Sequence, residues 1–264
     1  MSNIKPEIIP VEGYAQITIR AADLAAGLRF YGECLGLSVI ERSEHRALLA
    51  FPEGMRLEIL DGGCYVEHES GYTHLCINTY DVDETYARTL AYGATSTRGE
   101  PSTDGELRGV FIRTPTGEEI ELWYISRDGL TSEPIVNGRY VKSFVHMAVT
   151  APDKDITRDF YAALGVRPKT DWGWGCSMQL KNAHELEVFP KGDGLPHEEG
   201  SAVEQTFSTR DVPAVYAQAI AAGAVSLAAP KGEKGHCTAA FRGPAGERIS
   251  LTDEWFPDEV VLFD

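Results

Sequence analysis

The chain has 264 residues, 43% hydrophobic and 24% charged, with 26 Gly and 14 Pro. That is enough apolar material for real cores at a length of about two domains, which excludes a disordered or fibrous protein. Forty acidic residues against 24 basic ones leave a net charge of −16, a field that repels nucleic acid and anionic membrane surfaces.

The opening, MSNIKPEIIP, has one Lys and no apolar stretch of signal-peptide type. A strand with alternating Ile17 and Ile19 leads into an amphipathic helix predicted over 23–34, stopped by Gly36. Strands are predicted at ALLAF (47–51) and RLEIL (56–60), then a Gly-Gly turn at 62–63. The pattern restarts at THLCINT (73–79), with a helix over 82–92 ending at Gly93 and strands around 109–113 and 119–124. No run approaches 18 apolar residues, so no membrane span is expected. The five cysteines (Cys34, Cys64, Cys76, Cys176, Cys237) form an odd set without a C-x-x-C pair. They argue against a disulfide framework and a thiolate zinc site, and fit a reducing, cytoplasmic setting.

The second half repeats the first. GYAQITIRAADLAAGLRFYGECLGL (13–37) matches SFVHMAVTAPDKDITRDFYAALGV (143–166), placing Asp23 over Asp153 and Phe30-Tyr31 over Phe160-Tyr161. DVDETYARTLAYGA (81–94) matches DVPAVYAQAIAAGA (211–224), and IRTPTGEEIEL (112–122) matches FRGPAGERISL (241–251). Three matches in one order at one spacing mark a tandem duplication. The division expected is a first domain over 1–130 and a second over 140–264, with a linker near 126–140. Each half contains two β-α-β-β-β modules, so the fold class expected is α+β, with sheets half-closed around a cleft.

This layout resembles the vicinal oxygen chelate superfamily, which includes glyoxalase I, extradiol ring-cleaving dioxygenases and bleomycin resistance proteins. The resemblance covers about residues 12 to 255. It implies four modules in two tandem domains with cupped sheets, and metal ligands on the first and last strands of each module pair. The first-strand positions are then Gln16 and His146, the fourth-strand positions Glu58 and Glu187, the fifth-strand positions His74 and Glu204, and the last-strand positions Glu121 and Ser250.

Each candidate lies in a short strand between apolar neighbours, where a charge is costly unless paired or metal-bound. Imidazole with carboxylate suits a divalent metal: Zn, Ni, Mn or Fe. Which residues share a cleft depends on how the modules pair. Pairing of sequence neighbours puts Gln16, Glu58, His74 and Glu121 in one cleft and His146, Glu187, Glu204 and Ser250 in the other. Pairing of the middle modules instead collects His74, Glu121, His146 and Glu187, and leaves Gln16, Glu58, Glu204 and Ser250 to an outer cleft. The second sorting is preferred because it gathers every strong ligand into one site, while Gln16 and Glu58 remain ligands under the alternate pairing.

The bland readings differ by residue. Glu58 and Glu187 could be salt-bridge partners of Arg56 or Lys181, and Gln16 could bond backbone inside the cup. His45, His68, His184 and His197 sit in polar stretches and read as solvated, whereas His236 is a loop residue able to reach a cleft. Trp172 and Trp174 are either core plugs or a ligand-pocket wall, and Cys76 reads as a small apolar core residue.

Three functions follow from the resemblance. The first is a metal-dependent lyase, isomerase or epimerase acting on a small oxygen-rich substrate. There the metal would bind vicinal oxygens and stabilise an enolate, and Glu121 or Glu187 would move the proton as general acid and base. Arg20 matches a glutathione-enzyme position, but Gly62 and Ser70 do not suit a tripeptide carboxylate, so another substrate is expected. The second is an Fe(II) extradiol dioxygenase using His74, His146 and Glu121. PTGEEIE (115–121) fits its motif, but the His expected before it is missing. The third is a metal-free small-molecule binding protein, with Tyr14, Tyr72, Trp172 and Trp174 lining the pocket. In every case the partner is a small molecule, and the chain is a monomer or homodimer.

Overall fold

The computed structural model describes residues 10–62, 72–125, 140–190, 203–244 and 246–254. The first module is β1 (Gly13–Ala21), α1 (Leu24–Gly27) running into a π-helical segment (Leu28–Cys34), β2 (Ser38–Arg42), β3 (Arg46–Ala50) and β4 (Arg56–Asp61). The second is β5 (Tyr72–Thr79), α2 (Val82–Ala91), β6 (Thr95–Ser96), β7 (Ser102–Asp104), β8 (Leu107–Arg113) and β9 (Glu119–Ile125). The third is β10 (Val141–Ala151), α3 (Lys154–Ala163), β11 (Arg167–Asp171), β12 (Cys176–Gln179) and β13 (Glu185–Pro190). The fourth is β14 (Val203–Ser208), α4 (Val212–Ala221), β15 (Val225–Lys231), β16 (Thr238–Arg242) and β17 (Arg248–Thr252). This is the α+β plan of four βαβββ modules, with β7 as an addition in the second. The expected linker lies almost wholly outside the described residues, as do His68, Ser70 and His197.

One local device recurs in every module. Asp23, Asp81, Asp153 and Asp211 each cap a helix, the carboxylate accepting backbone N–H groups of the first turn. Helices then stop where a glycine turns left-handed, as at Gly93 (φ 92°) and Gly223 (φ 102°).

The sheets do not follow the two sequence halves. One has the order β15-β16-β17-β14-β1-β4-β3-β2, uniting the first and fourth modules. The other runs β11-β12-β13-β10-β5-β9-β8-β6, with β7 on β8, uniting the second and third. In each sheet the modules meet through antiparallel first strands, β1 on β14 and β10 on β5. Inside each module the first strand runs parallel to the last: β1 with β4, β5 with β9, β10 with β13, β14 with β17.

Strand alternation sorts the side chains. Ile17, Ile19, Leu57 and Ile59 of the outer sheet join Leu75, Ile77, Ile120 and Leu122 of the middle sheet in one contiguous apolar core. The residues between them face the two cups. Each half is stitched across the sheets by a buried tyrosine: the Tyr31 hydroxyl donates to Glu118 (3.2 Å) and the Tyr161 hydroxyl to Glu247 (2.6 Å). The repeated FY and GE motifs therefore have a structural use. Burial first, then the neighbouring glutamate, pushes both phenols well above their ordinary range.

Candidate metal centre

The middle cup brings four side chains together. His74 (β5) and His146 (β10) point their Nε2 atoms at each other, 3.2 Å apart. Glu121 (β9) places Oε2 3.5 Å from His74 Nε2 and 3.7 Å from His146 Nε2. Glu187 (β13) places Oε2 3.5 Å from His146 Nε2. Register puts them on one face: Ala148 lies opposite both His74 and Glu187, and Cys76 opposite both His146 and Glu121. Both imidazoles are buried. Phe111 stands edge-on to His74 (5.1 Å) and Trp123 edge-on to His146 (5.5 Å), fixing the rings.

The donor set fits a divalent cation. Ligand atoms about 2.1 Å from a metal lie roughly 3–3.5 Å from one another; three of the separations here, 3.2, 3.5 and 3.5 Å, match that spacing, and the fourth, 3.7 Å, lies just above it. Two overlapping groups, His74–His146–Glu187 and Cys76–Glu121–His146, each keep their ligand atoms within 4.8 Å. His74 Nδ1 is buried with no partner among the described residues, so the polar contacts of the ring run through Nε2, the atom that faces the cup.

Charge leads to the same fit. Burial, reinforced by His74, pushes His146 down to about 3, so it is neutral at ordinary pH. Burial, then the charges of Glu121 and Glu185, pushes Glu187 up to about 8. For Glu121 burial pushes upward, but the hydrogen bond and charge of His74 outweigh it and hold this carboxyl below its usual range. Glu121 is therefore ionised while Glu187 mostly keeps its proton at ordinary pH, and a divalent cation would supply the positive charge that ionises both.

The outer cup uses the same strand positions differently. Gln16 donates to Glu58 (3.0 Å), Thr18 donates to the same oxygen (2.9 Å), and Arg46 takes the other oxygen. Ser250 donates to Glu204, whose second oxygen meets Arg248 at 2.8 Å. A cleft of about 290 Å³ lies here, lined among others by Gln16, Glu58, Glu204 and Ser250. Both carboxylates are thus already paired with guanidinium groups, and this donor set does not fit a metal.

Several expectations are corrected by these contacts. Glu58 pairs with Arg46 rather than Arg56. Glu187 faces His146, while Lys181 pairs with Glu12 (3.4 Å). Gln16 bonds side chains rather than backbone. His184 is not solvated but buried, its Nδ1 3.0 Å from Asn182 Nδ2, because the loop after β12 folds inward. Tyr14 does not line a pocket; it stacks on Phe207 in the core (4.9 Å). His236 is exposed beside Glu254 (3.3 Å) and reaches no cup. Cys76 is buried on the cup floor, and Trp172 and Trp174 are exposed rather than core plugs. Tyr72 belongs to β5, but its side chain lies outside the described residues. Arg46 and Arg248, which close the outer cup, were not singled out from the sequence. The available signal was their placement on the strands that carry or adjoin Glu58 and Glu204.

Residues 13–122 match the family model of the Glyoxalase/Bleomycin resistance protein/Dioxygenase superfamily. This stretch of the chain belongs to that superfamily. The internal repeat carries the superfamily's module plan through the second half. Among solved structures, glyoxalase I from Zea mays is 22% identical, with a TM-score of 0.70 over 92% of each chain. A candidate dioxygenase from Bacillus subtilis is 12% identical, with a TM-score of 0.69 over 92% of this chain and 85% of that one. At such identities the likeness shows the fold alone. No curated protein matches the sequence. No helix among the described residues is long and apolar enough to cross a membrane.

Proposed function

We propose that the chain is a metal-dependent lyase, isomerase or epimerase of the glyoxalase type, acting on a small substrate with two adjacent oxygens. The observation that carries this reading is the convergence of His74, His146, Glu121 and Glu187 from four strands of two modules in one sheet. A divalent cation held there would polarise a carbonyl and so acidify the neighbouring C–H. Glu121 approaches both imidazoles, which makes it the firmer ligand. Glu187 approaches one, which leaves it the freer carboxylate to take that proton and return it at the adjacent carbon. The half-buried rings of Phe111 and Trp123 shield the two imidazoles from bulk water.

The reading is tested with metal-loaded protein and small 2-hydroxy ketones in D₂O, following deuterium entry at the carbon beside the carbonyl. Wild-type protein should catalyse exchange, and Glu187→Gln should slow it by about 10²–10⁴-fold. No exchange with any such compound would overturn the proton-transfer chemistry. A second reading, Fe(II) extradiol dioxygenase, is supported by the two-His-one-carboxylate triad His74, His146 and Glu121. Bound iron with catechol-dependent oxygen uptake would select it. A protein that takes up no divalent metal after reconstitution would leave the metal-free binding reading.

A further inference from the structure

The β11–β12 hairpin carries the sequence TDWGWG and leaves Trp172 39% and Trp174 55% exposed. Large aromatic rings left in water usually have a partner to meet. These two are ordered against Phe189 of β13. Trp172 lies 5.8 Å from Trp174 and 6.2 Å from Phe189, and Trp174 lies 5.4 Å from Phe189, with interplanar angles of 25°, 12° and 14°. All three pairs are stacked, so the nearly parallel rings form one overlapping aromatic patch, with Trp174 its most exposed member. The close fit depends on Gly175, where an added Cβ would lie 2.6 Å from the Phe189 ring.

The patch borders the candidate metal centre. Phe189 is two residues from Glu187 on one strand, so both side chains leave the same face, about 7 Å apart along it. Phe111 and Trp123 already present ring edges around the imidazoles, so aromatic carbon lines the cup on more than one side.

We propose that Trp172, Trp174 and Phe189 form the specificity surface of the middle cup and stack the planar aromatic part of a substrate whose vicinal oxygens reach the tetrad. This rests on the metal-centre reading above and adds the substrate class. An aromatic ring joined directly to the two-oxygen unit spans the step from Glu187 to Phe189. Offset stacking on the patch then discriminates it from an aliphatic analogue with the same oxygens.

The test compares benzohydroxamate and acetohydroxamate, two chelators with the same paired oxygens that differ in the ring. Each is titrated calorimetrically into Zn²⁺-loaded wild-type protein and into the variants Trp172→Ala/Trp174→Ala and Trp174→Ala, with bound zinc measured in every sample. The expected result is about tenfold tighter binding of benzohydroxamate by wild type. Trp174→Ala should narrow that gap and the double variant abolish it, with zinc content and acetohydroxamate binding unchanged. Equal affinities in wild type, or a preference that survives in the double variant, would overturn the proposal while leaving the metal centre standing. A dimer that falls to monomers in the double variant would assign the patch to a second copy instead. A wild-type protein that holds no zinc, or holds it and binds neither chelator, fails at the metal centre itself and takes this inference with it.

Discussion

The two cups of this molecule are made from the same strand positions, yet they reach opposite electrostatic ends. In the middle cup, two carboxyl groups face two imidazoles, one of them held neutral by burial, and no guanidinium among the described residues pairs with Glu121 or Glu187. In the outer cup, Glu58 has Arg46 and Glu204 has Arg248, and amide or hydroxyl donors take the remaining oxygens. A site therefore fails to fit a metal not only where a ligand is lost, as at Ser250. It also fails where an arginine on a neighbouring strand already supplies the positive charge.

The largest effect should come from the tetrad. His146→Ala is expected to lose at least tenfold to a hundredfold in metal affinity, whereas Gln16→Ala should retain the metal of the wild type. Elemental analysis by mass spectrometry, on protein purified without a histidine tag, reads both. The reverse pattern would move the centre to the outer cup and undo the comparison.

A second experiment asks whether charge alone separates the cups. Arg46→Met with Arg248→Met strips both guanidinium groups from the outer carboxylates. The bare pair should cost about 1–3 kcal/mol of stability, read by urea unfolding, and should admit a second, weaker equivalent of divalent ion in a calorimetric titration. Destabilisation without a second equivalent would mean that ligand type, not charge, silences the outer cup.

The third effect touches neither cup and concerns the seam between the sheets. Glu53, on the turn after β3, accepts the Phe144 N–H at 2.7 Å and lies 3.9 Å from His184 Nε2. Burial pushes this carboxyl up to about 7 and pushes His184 down to about 4. A raised acid holds its proton more tightly in the folded state. Its contribution is full below the ordinary carboxylate value of 4.5 and is lost as pH rises through 7. His184 acts in the opposite sense, contributing above 6.5 and losing as pH falls towards 4. The two slopes oppose each other between these limits. Glu53→Gln should leave the histidine slope alone, so that its stability rises more steeply from pH 4.5 to 6.5. At pH 8 the variant should gain up to about 3 kcal/mol on wild type, relative to their difference at pH 4.5. Parallel urea curves for the two proteins at all pH values would contradict this.

Much of the architecture was legible in the chain. The offset that lays Asp23 over Asp153 and the PTGE turn over PAGE marks the repeat. The alternation of Ile17 and Ile19 with Gln16 and Thr18 marks a strand with one wet face. The four aspartate caps announce the helices because capping is local chemistry within three residues. His74, Glu121, His146 and Glu187 were nameable one by one as the ligand positions that the family resemblance implies, and each stands between apolar neighbours. His184 was misread because its polar neighbours Lys181 and Asn182 suggest solvent, whereas burial there is set by Tyr14 and Phe144 from two other strands.

What the sequence determined by itself, then, was everything that depends on near neighbours: the elements, their caps, the repeat and the set of candidate ligands. Only the tertiary structure decided which candidates share a cup. That choice lies in the antiparallel pairing of β5 with β10 and of β1 with β14. The contacts that make it join residues about 70 to 190 positions apart, such as His74 with His146 and Gly13 with Ser208. Periodicity along one strand gives the face a side chain points to, but it carries no information about which distant strand will complete that face.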